Sequence, residues 1–421
     1  MVARKRLLLL TLALILIITL VLIGCSNSGT TTTDQGQSGG TETSGSSEGT
    51  QATESSGDVI KLRLGWAPGD ITGFFKMATN YMEEAVENAK AGGIEIELIT
   101  RSATDFTRPE EQVEAIENFI QNDVDAIIVC PSDVDVTKKV FGEVNAAGIP
   151  LIITNMMEPI EGVNVDTFVG YDNFIAGEIN GYAMLDALGG PGVMGEGEMV
   201  NTDPAKDILS KEWWENVYKD VDKSSISGEI AHLEGIAGSY SQQKRGGGFL
   251  NVVENYPNVK IVSTLSADWN REKGMQAGEN ILQNYPDIDG IYCQNIEMAM
   301  GAANAANNVG RNDIIILSQD GTPESCDEIR KGTLTAEAWI AGPSWGVMGV
   351  AFATMAALGQ EVPEFYDINL RTMYLGNIDN FFPEPMYENI KWDAIADAYR
   401  AGATKADWNG GWMKGGAYVD E

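Results

Sequence analysis

The sequence predicts an α/β protein whose body consists of two doubly wound lobes, each with a parallel sheet. Three observations carry this prediction. Strand-like and helix-like segments alternate along the body, as they do in βαβ units. The alternation starts again after Asp172, and the 421 residues are enough for two sizeable cores. A hydrophobic content of 43% is typical of a globular chain.

The first lobe is predicted from short apolar runs and from apolar residues spaced three or four apart. One helix follows from the spacing of Phe74, Met77, Tyr81 and later alanines, and another ends at Gly148, a residue that favours a helix C-terminus. The predicted strands cover 60–66, 94–99, 126–129 and 150–154. The helices begin near residue 74, surround 113–120 and span 134–147.

The second lobe shows the same alternation of strand-like and helix-like segments. The predicted strands are 228–233, 261–265, 290–294, 314–318 and 334–339, and the predicted helices are 176–188, 241–255, 271–284, 297–307 and 324–331. Ligands of such open sheets bind beyond the carboxyl ends of the strands. With two lobes, the cleft between them is the expected site.

The pattern of the amino end predicts an export signal followed by a flexible tether. Three basic residues precede the uncharged run 7–22, which is short for a membrane span. The run closes in Leu22-Ile23-Gly24-Cys25, which resembles a bacterial lipobox, so residues 1–24 are predicted to be a lipoprotein signal peptide and Cys25 the lipidated residue. Residues 25–57 are rich in Ser, Thr and Gly and lack aromatics, as in a flexible tether. The alternative is a plain membrane anchor.

Charge and residue usage exclude several classes of function. The net charge of −33 repels phosphate backbones, so nucleic-acid binding is not expected. His232 is the only histidine, and no Cys/His cluster has zinc spacing. We therefore expect no metal and no cofactor, and we interpret His232, in mid-strand, as a buried structural residue.

Several motifs, taken together and in order, resemble the sugar-binding type I periplasmic binding proteins, the ribose- and glucose/galactose-binding group. The matching stretches are Asp123-Val124-Asp125-Ala126-Ile127-Ile128-Val129, Ala146-Ala147-Gly148-Ile149-Pro150-Leu151, Gly170-Tyr171-Asp172-Asn173, Gln294-Asn295-Ile296-Glu297-Met298-Ala299-Met300-Gly301 and Gln319-Asp320-Gly321-Thr322-Pro323.

The resemblance implies lobes that are joined by a multi-strand hinge and close on a ligand. Residues 58–171 and 340–375 are assigned to lobe 1, residues 172–339 to lobe 2 and residues 376–421 to a C-terminal extension. The extension contains Trp392, Trp408 and Trp412, and whether it covers a lobe or the hinge stays open.

Matching positions supply side chains that suit a sugar. Aromatic rings cover the apolar faces of a sugar ring, and amide, carboxylate and guanidinium groups bind its hydroxyls. From the resemblance we expect Trp269 and one of Phe74 and Phe75 to stack on the ligand, and the other phenylalanine to belong to the core.

The expected hydrogen-bonding residues are Asn155, Arg245, Asn295 and Asp320. The ribose-type pattern has Asp-Arg where this chain has Asn155-Met156, which counts against ribose. A buried Arg245 and a buried Asp320 would have to compensate each other or pair with the ligand. Turn capping is the alternative role for Asn295 and Asp320, and Asp70 and Thr72 are further candidates.

The resemblance and the amino end together predict a binding protein and not an enzyme. The expected function is that of a monomeric, lipid-anchored solute-binding protein on the extracytoplasmic face of the cell membrane, which captures a hexose or pentose for an ABC transporter permease. The alternatives are a sugar-sensing partner of a membrane receptor and an extracellular glycosidase.

Overall fold

Two six-stranded sheets form the framework of the computed structural model, which describes residues 59–194, 209–382, 387 and 389–403. The predicted signal peptide, Cys25, the tether, and Trp408 and Trp412 lie outside the described residues. In the part of the chain that is described, no helix is long and apolar enough to cross a membrane.

The first sheet has the strand order β2-β1-β3-β4-β5-β11, with every neighbouring pair parallel. Its strands are β1 (Ile60–Ala67), β2 (Ile94–Thr100), β3 (Ala126–Val129), β4 (Leu151–Thr154), β5 (Thr167–Gly170) and β11 (Phe365–Asp367). The helices that follow its strands are α1 (Gly73–Ala91), α2 (Pro109–Gln121) and α3 (Val134–Ala147), and α10 (Gly342–Ala357) packs on α1.

The second sheet repeats this order as β7-β6-β8-β9-β10-β12. Its strands are β6 (Ser227–Glu234), β7 (Asn258–Ser266), β8 (Gly290–Cys293), β9 (Ile315–Asp320), β10 (Ala336–Trp339) and β12 (Arg371–Tyr374). Its helices are α4 (Asn173–Ala187), α5 (Lys211–Tyr218), α6 (Tyr240–Val253), α7 (Arg271–Asn284), α8 (Ile296–Asn308) and α9 (Pro323–Lys331). The predicted fold class is thus confirmed.

Local signals explain why the elements begin and end where they do. Asp133 accepts a hydrogen bond from the Val136 N–H and begins α3, and Gly148, with a φ of 72°, ends it, as expected for a left-handed C-terminal residue. The predicted bounds 134–147 and 271–284 agree with α3 and α7. In β3 and β4 all residues are buried, as expected of central parallel strands covered on both faces.

Within the described residues the chain crosses between the two sheets three times, in line with the multi-strand hinge that the resemblance implies. It passes from β5 into α4, from β10 into α10, and from β11 into β12. Residues 340–375 were expected to lie in lobe 1, but β12 pairs antiparallel with β10 in the second sheet. That expectation is wrong for β12, a four-residue segment whose partner strand is not encoded in its own pattern.

The described part of the C-terminal extension contacts both lobes. A 3-10 turn (Ile378–Asn380) precedes Phe381, whose ring packs against Trp339 at 5.0 Å between centroids. Further on, α11 (Trp392–Arg400) packs on α1 of the first lobe. Trp392 is buried there, so this tryptophan has a packing role.

Candidate ligand-binding site

All seven predicted site residues line one cleft between the carboxyl edges of the two sheets. The empty space of the cleft, its open mouth included, is about 820 Å³. Because the carboxyl ends of parallel strands meet at one edge of a sheet, residues far apart in the chain come together there. The predicted residues in the lining are Phe74, Phe75, Asn155, Arg245, Trp269, Asn295 and Asp320.

The aromatic wall of lobe 1 is built on the first turn of α1. Phe74 is buried and meets Trp345 edge to face at 4.7 Å between centroids. Phe75 is only partly buried and lies 5.5 Å from the ring of Phe106. Of the two phenylalanines, Phe74 therefore takes the core role, and Phe75 is the more accessible ring.

Asn155 lines the cleft and has a buried acceptor without a partner among the described residues. It follows β4 with a φ of 67°, a left-handed conformation that asparagine tolerates better than most residues. Its carbonyl accepts a hydrogen bond from Asn173 at 2.9 Å. Its buried side-chain oxygen has no partner among the described residues, and a ligand hydroxyl could supply one.

Arg245 is held by three hydrogen bonds at the base of the cleft. It is 4% exposed and donates to the Asn173 side chain at 2.9 Å, to the Gln294 carbonyl at 2.7 Å and to the Tyr171 hydroxyl at 2.7 Å. Its guanidinium also lies 5.2 Å from the ring centroid of Trp269. In the part of the chain that the structure describes, three of its five N–H donors are thus committed, and two remain for other partners.

Asp320 ends β9 in a buried position with a φ of 126°. Its carboxylate accepts from the Ile296 N–H at 3.2 Å, and it forms no direct ion pair with Arg245 within the part of the chain that is described. Burial raises the pKa of Asp320 to about 8, and the charge of Arg245 opposes this rise. At neutral pH the protonated carboxyl can therefore donate a hydrogen bond.

Asn295 lines the cleft and also caps a helix. Its side-chain oxygen accepts from the Met298 N–H at 3.0 Å and caps α8, while its amide donates to the Trp269 carbonyl at 3.2 Å. Its side chain therefore fixes the backbone of Trp269 and the start of α8. Trp269 itself has a φ of 61°, an unusual conformation for a bulky residue.

The two lobes contact each other at both edges of the cleft, as in a closed conformation. At one edge, Lys244 of α6 forms an ion pair with Glu158, which follows β4. At the other edge, a β-carbon on Gly73 would lie 2.6 Å from the carboxylate of Glu297. Arg271 holds Glu297 through an ion pair of 2.7 Å.

Several lining residues were not expected from the sequence. They include Phe106, Tyr240, Glu297 and Trp345, while the candidates Asp70 and Thr72 do line the cleft. Phe106 lies in a loop and Glu297 in the first turn of a helix, so only the packing of the lobes shows that they reach the site. The strand-end rule alone could have indicated Tyr240, which follows β6.

The described residues include no group of three or more His, Cys, Asp or Glu side chains that could hold a metal ion. His232 is buried, and burial lowers its pKa to about 3, so it stays neutral at physiological pH. Its ring stacks on Tyr292 at 5.1 Å between centroids. His232 therefore packs in the core, as expected.

Two facing lobes with a cleft at their strand ends define the class of two-lobed solute-binding proteins. A family model described as a periplasmic binding protein domain matches residues 67–361. The chain belongs to the sugar-binding type I periplasmic binding protein family. Proteins of this family bind ligands and are not enzymes.

Among curated proteins, the chain is 28% identical over 250 residues to the ribose import binding protein of Bacillus subtilis. The aligned region covers 59% of this chain and 67% of the relative. It is also 28% identical over 266 residues to the D-allose-binding periplasmic protein of Escherichia coli, with 61% and 72% covered.

The chain is also similar to solved structures of solute-binding proteins. An ABC transporter solute-binding protein from Bacillus halodurans with bound myo-inositol matches with a TM-score of 0.61 and 26% identity, over 77% of this chain and 98% of the other. A periplasmic solute-binding protein from Actinobacillus succinogenes with bound D-allose matches with a TM-score of 0.63 and 25% identity, over 76% and 100%. These relatives are sugar- or polyol-binding transport proteins.

Proposed function

We propose that this protein is an extracytoplasmic solute-binding lipoprotein that captures a monosaccharide, a hexose or a pentose, between its lobes and delivers it to an ABC transporter permease. The observation that carries the proposal is the composition of the cleft. Aromatic rings stand on both lobes, at Phe75 and Phe106 on one side and Trp269 on the other, with polar groups between them. Such a cleft suits a molecule with apolar faces and a hydroxyl rim.

The polar groups of the cleft match a neutral, hydroxyl-rich ligand. Asn155 offers an acceptor, Arg245 has donors left over, and protonated Asp320 can donate. Since each of these groups is buried, a ligand hydroxyl that pairs with it replaces water and adds specificity. Relatives that bind ribose, allose and myo-inositol support a ligand of this size.

Closure would couple binding to transport. A ligand that contacts both lobes stabilises the closed form over the open one, and a permease can recognise that form. The ion pair between Lys244 and Glu158 and the contact of Glu297 with Gly73 would then form on closure. The protein would act as a monomer, with no cofactor and no metal.

A sugar screen tests the ligand class. The purified body, residues 58–421, would be screened by thermal shift against pentoses, hexoses and myo-inositol, and hits would be measured by calorimetry. We expect one or a few sugars to bind with micromolar affinity, about −8 kcal/mol. If no sugar binds but the protein turns over a glycoside, the glycosidase alternative replaces the proposal.

The lipid anchor is tested separately at Cys25. In the full chain, Cys25→Ser should abolish labelling by a fatty-acid probe and release the protein from the membrane fraction, while sugar binding stays unchanged. A protein that stays in the membrane without acylation would instead support a plain membrane anchor. Loss of sugar uptake after deletion of the gene for this protein would support delivery to a permease, and loss of a signalling response would favour a sensor.

A further inference from the structure

The ring of Trp269 rests with one face on the backbone of Gly235, at the end of β6. A β-carbon built on Gly235 would lie 2.0 Å from Cζ2, 2.1 Å from Cε2 and 2.2 Å from Cη2 of the indole. Three neighbouring ring atoms at nearly equal distances place that carbon over the ring face and not at the ring edge. Any side chain at residue 235 therefore has to displace the ring.

The position of Gly235 is itself fixed. Its N–H donates to the side chain of buried Gln294 at 3.0 Å, and its carbonyl accepts from the Ser266 hydroxyl at 2.7 Å. Ser266 ends β7, the strand that leads to Trp269. The glycine and the loop that carries the tryptophan are therefore joined directly, and neither can shift alone to accommodate a larger residue.

The opposite wall has the same arrangement. A β-carbon on Gly69, in lobe 1, would lie 2.4, 2.6 and 2.7 Å from three neighbouring atoms of the Phe106 ring, again over its face. By contrast, a β-carbon on Gly321 would meet one atom of Trp339 at 2.1 Å and the next two at 3.0 and 3.1 Å, which is an edge contact. Of these three rings, the two that line the cleft lie face-on against glycine.

We propose that Gly235 and Gly69 are positioning residues that set the depth of the Trp269 and Phe106 rings, and thereby the width of the cleft and the size of sugar that it accepts. The proposal rests on the proposed sugar-binding function. An ordinary van der Waals contact begins at 3.4 Å. A methyl group at residue 235 therefore requires the ring to move by about 1.4 Å. Because the packed interior does not yield by this amount, the ring moves into the cleft and narrows it.

The test compares Gly235→Ala with a matched glycine substitution. Gly235 does not have a left-handed backbone, so alanine there tests the ring contact and not backbone strain. Gly142→Ala is the control, because a β-carbon at this exposed position in α3 meets nothing within 4 Å. Binding of D-ribose, D-allose and myo-inositol would be measured by calorimetry for both variants and for Gly69→Ala.

We expect Gly235→Ala to weaken binding of the two larger ligands at least tenfold, with a smaller loss for ribose, and Gly142→Ala to bind as the parent protein does. In a Trp269→Ala background, Gly235→Ala should cause no further loss, since the glycine acts through the ring. Parent-like affinity of Gly235→Ala, or an equal loss in both backgrounds, would overturn the proposal.

A ligand-free measurement separates this proposal from the sugar-binding proposal. The indole N–H signal of Trp269 in an NMR spectrum, assigned with Trp269→Phe, should shift in Gly235→Ala and stay in place in Gly142→Ala. If the parent protein binds none of the three sugars, the proposed function fails for them, and the indole signal still decides the role of Gly235. An unmoved signal refutes that role.

Discussion

Arg245 offers the sharpest test of how the cleft is held together. Its three hydrogen bonds end on α4, on the strand end of β8 and on Tyr171 of the first crossing. Arg245→Lys keeps the positive charge but loses the planar fork, so one ammonium group cannot reach all three acceptors. The Tyr171 hydroxyl still accepts from Gln319 at 2.8 Å, so the two buried acceptors that lose their donor are the Asn173 side-chain oxygen and the Gln294 carbonyl.

The expected magnitude follows from this count. Each buried polar group left without a partner costs about 1–3 kcal/mol, so Arg245→Lys should lower the free energy of unfolding by about 2–6 kcal/mol. Urea unfolding at 25 °C, followed by both fluorescence and circular dichroism, measures the loss. Sugar affinity should fall as well, because the leftover N–H donors disappear.

Arg108→Lys is the matched control, since Arg108 is 60% exposed and its ion pair with Glu111 lies within one helical turn. Such surface pairs contribute about 0–1 kcal/mol, and the control should change little. If Arg245→Lys proves as mild as Arg108→Lys, Arg245 does not organise the cleft, and the reasoning from its buried hydrogen bonds is wrong.

Three further predictions concern the ring of Trp269, the pH dependence of stability and the ion pair of Lys244 at the edge of the cleft. Trp269→Ala should weaken sugar binding at least tenfold by calorimetry with little change in Tm, and unchanged affinity would remove the ring from the site. Burial raises the pKa of Asp320 to about 8 and that of Glu337 to about 7, so the folded protein retains protons that the unfolded chain releases. Stability should therefore fall as the pH rises from about 5 to 8. The double variant Asp320→Asn/Glu337→Gln should lose most of this slope in thermal unfolding, and a parent protein whose stability is flat over that range would contradict the argument. Lys244→Gln should weaken binding by no more than about fivefold at low salt and not at all at 1 M salt, because salt screens a half-exposed ion pair. The control Lys139→Gln, which removes an ion pair inside α3, should not change binding. A loss of affinity for Lys244→Gln that does not depend on salt would refute the electrostatic explanation.

The regular elements could be predicted where a segment is a short apolar run between polar residues or has an amphipathic pattern with clear end signals. Strands β3 and β4 are short apolar runs, and α3 has an amphipathic pattern with clear end signals. By contrast, α10 was missed because it is buried almost all round and therefore shows no polar stripe. For α10 a single-sequence pattern contains no periodicity to detect.

The site was predictable as far as strand ends and the family resemblance reach. Asn155 and Trp269 follow strands and Asp320 ends one, and the structure gives all three positive φ angles, which the sequence does not reveal. The contact between the Trp269 ring and Gly235 joins two strand ends that are more than thirty residues apart in the sequence. Such contacts depend on register between β6 and β7, which composition and spacing leave undetermined.

The repeated strand order also has a consequence for how ligand preference can change. Each sheet contributes its own strand ends to the cleft, so the lining is divided between two half-sites, one on each sheet. A substitution at a strand end of one sheet changes the side chains on one side of the cleft. The preference of the cleft can therefore be altered from one sheet at a time.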